Sequence, residues 1–178
     1  MTGPPICFLS GASGVSKTTL VQALAARYPE PSWAFLNFDS IGVPTLETMI
    51  ELAGSGERWQ TLATETWIAK IVAEYQDRRL VVIEGQTNLD WINAACDKFD
   101  IDRYLIVLIT CDWPIMQKRL IQARQQPELV TPEINRWAAF LYRQAKQQNW
   151  PIVDTSHQAL AETVDAVYTL IRRNFERT

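Results

Sequence analysis

The chain has 178 residues, 47% of them hydrophobic and 21% charged, with a net charge of −3. Such a composition belongs to a folded domain rather than a disordered tail. It offers no basic surplus for a nucleic-acid partner, and no apolar run approaches the ~18 residues of a membrane span.

The first apolar run, residues 6–10, predicts a buried strand. Met1-Thr2-Gly3-Pro4-Pro5 ahead of it carries no basic residue, so the run is not read as a leader peptide. Directly after it comes Gly11-Ala12-Ser13-Gly14-Val15-Ser16-Lys17-Thr18, one position short of the phosphate-binding pattern G-x-x-x-x-G-K-[ST]. In that pattern successive backbone N–H groups form a concavity for the β-phosphate. The next helix adds the positive end of its dipole, the lysine reaches the β- and γ-phosphates, and the hydroxyl serves Mg²⁺. Ser16 stands where the second glycine belongs. It keeps its N–H, but costs about 1–2 kcal/mol if the position requires a left-handed backbone. The amphipathic stretch 17–28, beginning Lys17-Thr18-Thr19, supplies the helix that the mechanism needs.

Further strands are expected at 34–39, 80–84, 104–110 and 152–154. Helices are expected at 45–53, 57–77, 89–98, 113–125, 132–149 and 159–175. Thr131-Pro132-Glu133 is a good helix start: a cap, then proline at the first helical position, then an acid. Three cysteines, an odd number without metal-type spacing, suit reduced structural thiols in a cytoplasmic protein. No repeat, linker or low-complexity stretch divides the chain, so residues 1–178 are expected to form one domain. Alternating strands and helices give a parallel sheet covered on both faces. Ligands then bind beyond the carboxyl ends of the strands.

The polar groups at those ends are therefore the candidates. Asp39 lies where a carboxylate would orient an acceptor hydroxyl and take its proton. Glu84 follows four apolar residues in a Walker-B-like pattern and would serve Mg²⁺; Gly85 lets a ligand come close, and Gln86 and Asn88 offer hydrogen bonds. Arg119 and Arg124 flank a polar, proline-bearing segment, 124–132, that suits a closing lid; Arg136 and Arg143 lie beyond it. Asp154-Thr155-Ser156-His157 follows the last strand, where a loop can hold a nucleotide base. His157, without a second ligand at useful spacing, reads as a surface residue. Trp33, Trp67, Trp137 and Trp150 read as packing, and Trp59 and Trp91 as candidates to stack on a substrate ring.

Together these residues resemble the P-loop small-molecule and nucleotide kinases: shikimate, gluconate and adenylylsulfate kinases and chloramphenicol phosphotransferase. Phe38-Asp39-Ser40 is similar to the stretch in the last of these. The resemblance implies an α/β three-layer fold, a five-stranded parallel sheet in the order 2-3-1-4-5, and a small lid. It implies ATP held by Gly11, Ala12, Ser13, Gly14, Val15, Ser16, Lys17, Thr18 and Thr19, with Thr155 and Ser156 at its base. Mg²⁺ would sit at Thr18 and Glu84, the acceptor at Asp39, Glu84 and Gln86, and catalysis would fall to Lys17, Asp39, Arg119 and Arg124. Segment 40–79 would form the acceptor pocket. A monomer or homodimer acting on a small molecule is expected. Two competing expectations are an NTPase or switch without a small acceptor, and a nucleotide-sensing or partner-binding protein without turnover.

Overall fold

Five parallel strands build the sheet of this computed structural model, which describes residues 3–42 and 44–176. Val43, within the expected acceptor segment, and the first and last two residues lie outside the described residues. The strands are β1 (Ile6–Ser10), β2 (Trp33–Asn37), β3 (Leu80–Gly85), β4 (Tyr104–Thr110) and β5 (Ile152–Asp154), in the spatial order β2-β3-β1-β4-β5. The helices are α1 (Lys17–Arg27), α2 (Leu46–Ala53), α3 (Gly56–Glu74), α4 (Leu89–Lys98), α5 (Trp113–Lys118), α6 (Pro132–Gln147) and α7 (Leu160–Phe175).

Strand alternation divides the core in two. Cys7, Leu9, Leu80, Val82, Val107 and Ile109 face Leu20 and Leu24 of α1 and Val164, Val167 and Ile171 of α7. Ile6, Phe8, Val81, Ile83, Ile106 and Leu108 face Trp67, Ile68 and Ile71 of α3, Ile92 of α4 and Leu141 of α6. Both faces are buried, which is why β1, β3 and β4 read as continuous apolar runs. Every strand runs the same way, so all five carboxyl ends open on one edge. The expected sheet order, 2-3-1-4-5, is the one observed.

The helix expected at 57–77 ends early, at Glu74, and two further elements differ in ways that bear on the site. The strand expected at 34–39 stops at Asn37, because the Asn37 side chain accepts the Asp39 N–H at 2.8 Å and starts a short 3₁₀ turn over Phe38–Ile41. Asp39 thus belongs to a turn rather than a strand end. The helix expected at 113–125 ends its regular part at Lys118 and widens into a π turn over Arg119–Ala123. There the Arg124 N–H reaches the Arg119 carbonyl at 3.0 Å. Thr131 caps α6 as expected, accepting the Ile134 N–H at 3.3 Å. Among the described residues no helix is long and apolar enough to cross a membrane.

Candidate active site

The loop after β1 turns sharply into α1, and its backbone carries the strain. Gly14 has φ 88° and Ser16 has φ 72°. Ser16 is therefore a left-handed non-glycine residue, at a cost of about 1–2 kcal/mol. It precedes the helix, yet its hydroxyl caps nothing; a serine cap needs an extended backbone to aim its oxygen at the first turn. Gly11 is needed for close packing: a Cβ there would run into the Ile109 carbonyl oxygen.

Lys17 is buried and donates its Nζ hydrogens to the Gly11 and Ala12 carbonyls at 2.8 and 3.0 Å. Burial pulls its pKa down to about 8, against the opposing pull of Glu84. A phosphate at the loop supplies the negative charge that restores the ammonium.

Glu84 is 4% exposed, and its Oε1 accepts from two hydroxyl and amide donors. Thr18 Oγ1 donates at 2.8 Å and Asn37 Nδ2 at 2.8 Å. The parallel register explains the trio. Asn37 pairs with Glu84 across β2 and β3, and Leu9 pairs with Glu84 across β1 and β3. Glu84 therefore faces the helix that opens with Lys17 and Thr18. Burial raises its pKa, while the Thr18 hydrogen bond pulls the other way. Asn37 is a site residue that sequence reading missed. Its position opposite Glu84 depends on a strand register that no local pattern encodes.

Ser13 Oγ donates to Gln86 Oε1 at 3.0 Å, which ties the loop to the end of β3. Ser10 Oγ donates to the Thr87 carbonyl at 2.6 Å. Between these groups opens a cavity of ≈ 210 Å³ whose lining includes Lys17, Thr18, Asp39, Glu84, Gln86 and Arg124. Met49, Trp59 and Gln60, from α2 and α3, line its outer wall. Of the two candidate stacking tryptophans, Trp59 is in the wall and Trp91 is not. Asn88 is turned away, accepting from Asp90 N–H and Gln144 Nε2.

The two candidate arginines separate. Arg124 lines the ≈ 210 Å³ cavity and also a second one, of ≈ 280 Å³, bounded by Gly14, Ser16, Lys17, Thr18 and Thr19. Arg119 lines the second cavity but not the first. Its guanidinium is held by the loop after β5, donating to Thr155 Oγ1 at 2.7 Å and to the Thr155 carbonyl at 2.6 Å. A third hollow, of ≈ 150 Å³, lies beyond it, lined by Ser16, Thr19, Arg119, Thr155, Gln158 and Leu160. Gln158 is another lining residue that the sequence did not single out. Ser156 is spent locally: its Oγ accepts the Asp112 N–H at 2.8 Å and donates to Asp154. His157 is exposed, with Nε2 3.2 Å from Asp112 Oδ2, as expected of a surface residue.

Mg²⁺ is tested by its donors. Among the described residues no three His, Cys, Asp or Glu side chains gather to hold a metal. Mg²⁺ at phosphates commonly needs only one or two protein oxygens beside water and substrate. The Thr18 hydroxyl and Glu84 carboxylate, in direct contact at the loop, are hard oxygen donors that fit.

No family model matches the sequence, and no curated protein matches it either. Solved structures do. Shikimate kinase from Acinetobacter baumannii matches with a TM-score of 0.60 and 17% identity, over 96% of this chain and 94% of its own. A gluconokinase from Sinorhizobium meliloti 1021 matches with a TM-score of 0.64 and 16% identity, over 99% and 96%. Thymidylate kinase from Candida albicans matches with a TM-score of 0.65 and 11% identity, over 97% and 92%. Sheet order, loop and neighbours define the class: the chain has the P-loop kinase fold.

Proposed function

We propose that the protein is an ATP- and Mg²⁺-dependent phosphotransferase that moves the γ-phosphoryl group to a small hydroxyl- or phosphate-bearing acceptor. The observation that carries this reading is the ≈ 210 Å³ cavity: it opens from the phosphate loop and is lined by Asp39, Glu84 and Arg124 together with Lys17. A nucleotide switch or a bare NTPase has no use for a second pocket with its own carboxylate.

In this reading the loop N–H groups and Lys17 hold the triphosphate. Thr18 and Glu84 would hold Mg²⁺, which would supply charge neutralisation to the phosphates. Asn37 keeps Glu84 aimed at the loop. Asp39 orients the acceptor hydroxyl and accepts its proton as the acceptor oxygen bonds to the γ-phosphorus. The bond from that phosphorus to the bridging oxygen breaks, and ADP leaves with the electron pair. Arg124, lining both cavities, neutralises charge on the transferring group. Arg119, clasped by Thr155, serves the base end of the nucleotide, and segment 124–132 closes over the phosphates. The chain acts as a single domain in the cytoplasm.

The test is ADP release from ATP–Mg²⁺ across a panel of alcohols, nucleosides and nucleoside monophosphates. The proposal expects at least one acceptor to raise turnover, and Lys17→Met to abolish the rise. Equal rates with and without every acceptor, unchanged in Lys17→Met, refute it.

A further inference from the structure

A large apolar groove, of ≈ 610 Å³, continues outward from the acceptor cavity. The two share Gly42 and Trp59. The groove is walled by Ile41, Pro44, Leu52, Trp59, Leu62 and Ala63, and among the described residues no charged one lines it. Its side chains are unusually open for their chemistry: Leu52 is 68% exposed, Leu62 45% and Ile41 39%. None of the eight residues of α2 is buried, although the helix carries Leu46, Met49, Ile50 and Leu52. Exposed apolar surface of this kind, continuous with a polar site, marks a binding surface.

Charge narrows the occupant. Among the described residues the cations lining the acceptor cavity are Lys17 and Arg124, and both also line the cavity at the phosphate loop. The nucleotide's phosphates take them both. Among the described residues no side-chain cation of the cavity is left to receive a carboxylate or phosphate on the acceptor, and Asp39, which no metal is assigned to neutralise, repels one.

Building on the phosphotransferase reading, the geometry points to an acceptor that is an uncharged alcohol with an apolar body. The hydroxyl enters the polar cavity beside Asp39, and the body lies along the groove against Trp59, Leu52 and Leu62. Anionic sugars, acids and nucleoside monophosphates are excluded. The transfer itself is unchanged: the alcohol oxygen gains the phosphoryl group, its proton goes to Asp39, and ADP departs.

The experiment uses the full chain with ATP and Mg²⁺ and a series of phenylalkanols from 2-phenylethanol to 6-phenylhexanol. Shikimate, gluconate and thymidine monophosphate form the anionic arm. ADP release is read beside calorimetric binding in the presence of ADP and Mg²⁺. Affinity for the uncharged series rises about threefold to fourfold per added methylene that enters the groove. Leu62→Asp flattens that gradient without moving the KM for ATP, and Leu52→Asp, at the more exposed position, does the same if the first variant fails to fold. Turnover of an anionic acceptor ahead of the whole uncharged series overturns the inference and leaves the kinase reading standing. So does affinity that ignores chain length, or no binding at all. A dimer in sedimentation that Leu62→Asp dissociates also overturns it, since the groove is then an interface between copies. The length gradient in binding, with no acceptor of either arm or of the wider panel raising ADP release and Lys17→Met matching wild type, supports the groove assignment and refutes the kinase reading instead.

Discussion

Replacing Ser16 by glycine removes a Cβ from a backbone held at φ 72°, ψ 29°. The left-handed geometry costs a non-glycine residue about 1–2 kcal/mol. Glycine brings its own loss, because the unfolded chain gains freedom worth about 0.5–1 kcal/mol. The balance is a net stabilisation of up to about 1.5 kcal/mol, which in a domain of this length raises Tm by up to about 6 °C. Ser16→Ala separates strain from hydroxyl. A working serine cap loses about 1 kcal/mol on truncation, but this hydroxyl caps nothing, so alanine leaves Tm nearly where it was. The loop's N–H donors are the same in all three proteins. ATP affinity therefore changes by less than about threefold, a fraction of a kcal/mol. The assays are thermal unfolding and nucleotide titration of the three proteins side by side. A fall in Tm for Ser16→Gly, or a loss of about 3 °C or more for Ser16→Ala, refutes the reasoning.

The remaining predictions concern charge and crowding. Burial holds the Lys17 pKa near 8, below the ~10.4 of an unfolded lysine. Below pH 8 both states are protonated and the burial cost is present in full; it fades as pH rises from 8 toward 10.5, so that stability gains over this window in the wild type and not in Lys17→Met. Bound phosphates restore the ammonium. Nucleotide binding therefore takes up a proton at pH 8–9, and calorimetry in buffers of different ionisation enthalpy will read it. Glu84→Gln keeps an acceptor for Thr18 and Asn37 but loses the charge, so the protein stays folded while its Mg²⁺ requirement rises about 10–100-fold, by analogy with other metal-site perturbations; an unmoved Mg²⁺ titration contradicts the assignment. Gly85→Ala drives a Cβ into Phe38, whose carbonyl is fixed by Trp67 Nε1 at 2.9 Å, and denaturant titration will show a loss of about 1–3 kcal/mol from overpacking.

The fold was legible because its signals are local. Unbroken apolar runs at β1, β3 and β4, a glycine-rich turn after the first of them and the threonine cap and proline that start α6 all declare themselves over a few residues. The expected 2-3-1-4-5 order came from resemblance to the P-loop kinases, since no local signal specifies which strands are neighbours. What escaped the sequence is what long-range geometry decides. Asn37 meets Glu84 only because β2 pairs with β3 in a particular register. Arg119 and Arg124 look equivalent along the chain, yet Thr155 captures the first while the second lines the acceptor cavity. The π turn that spaces them is invisible in a helical pattern. Asp39 lines the cavity although the strand expected to carry it ends two residues earlier.

The central claim is that phosphoryl goes from ATP to an acceptor held beside Asp39, and the balance of products tests it most directly. ADP and inorganic phosphate are measured together in one reaction with ATP, Mg²⁺ and acceptor. The account predicts ADP in large excess over phosphate, with the difference recovered as a phosphomonoester of the acceptor and lost in Asp39→Asn. ADP and phosphate released in equal amounts, with no phosphorylated acceptor, would contradict it.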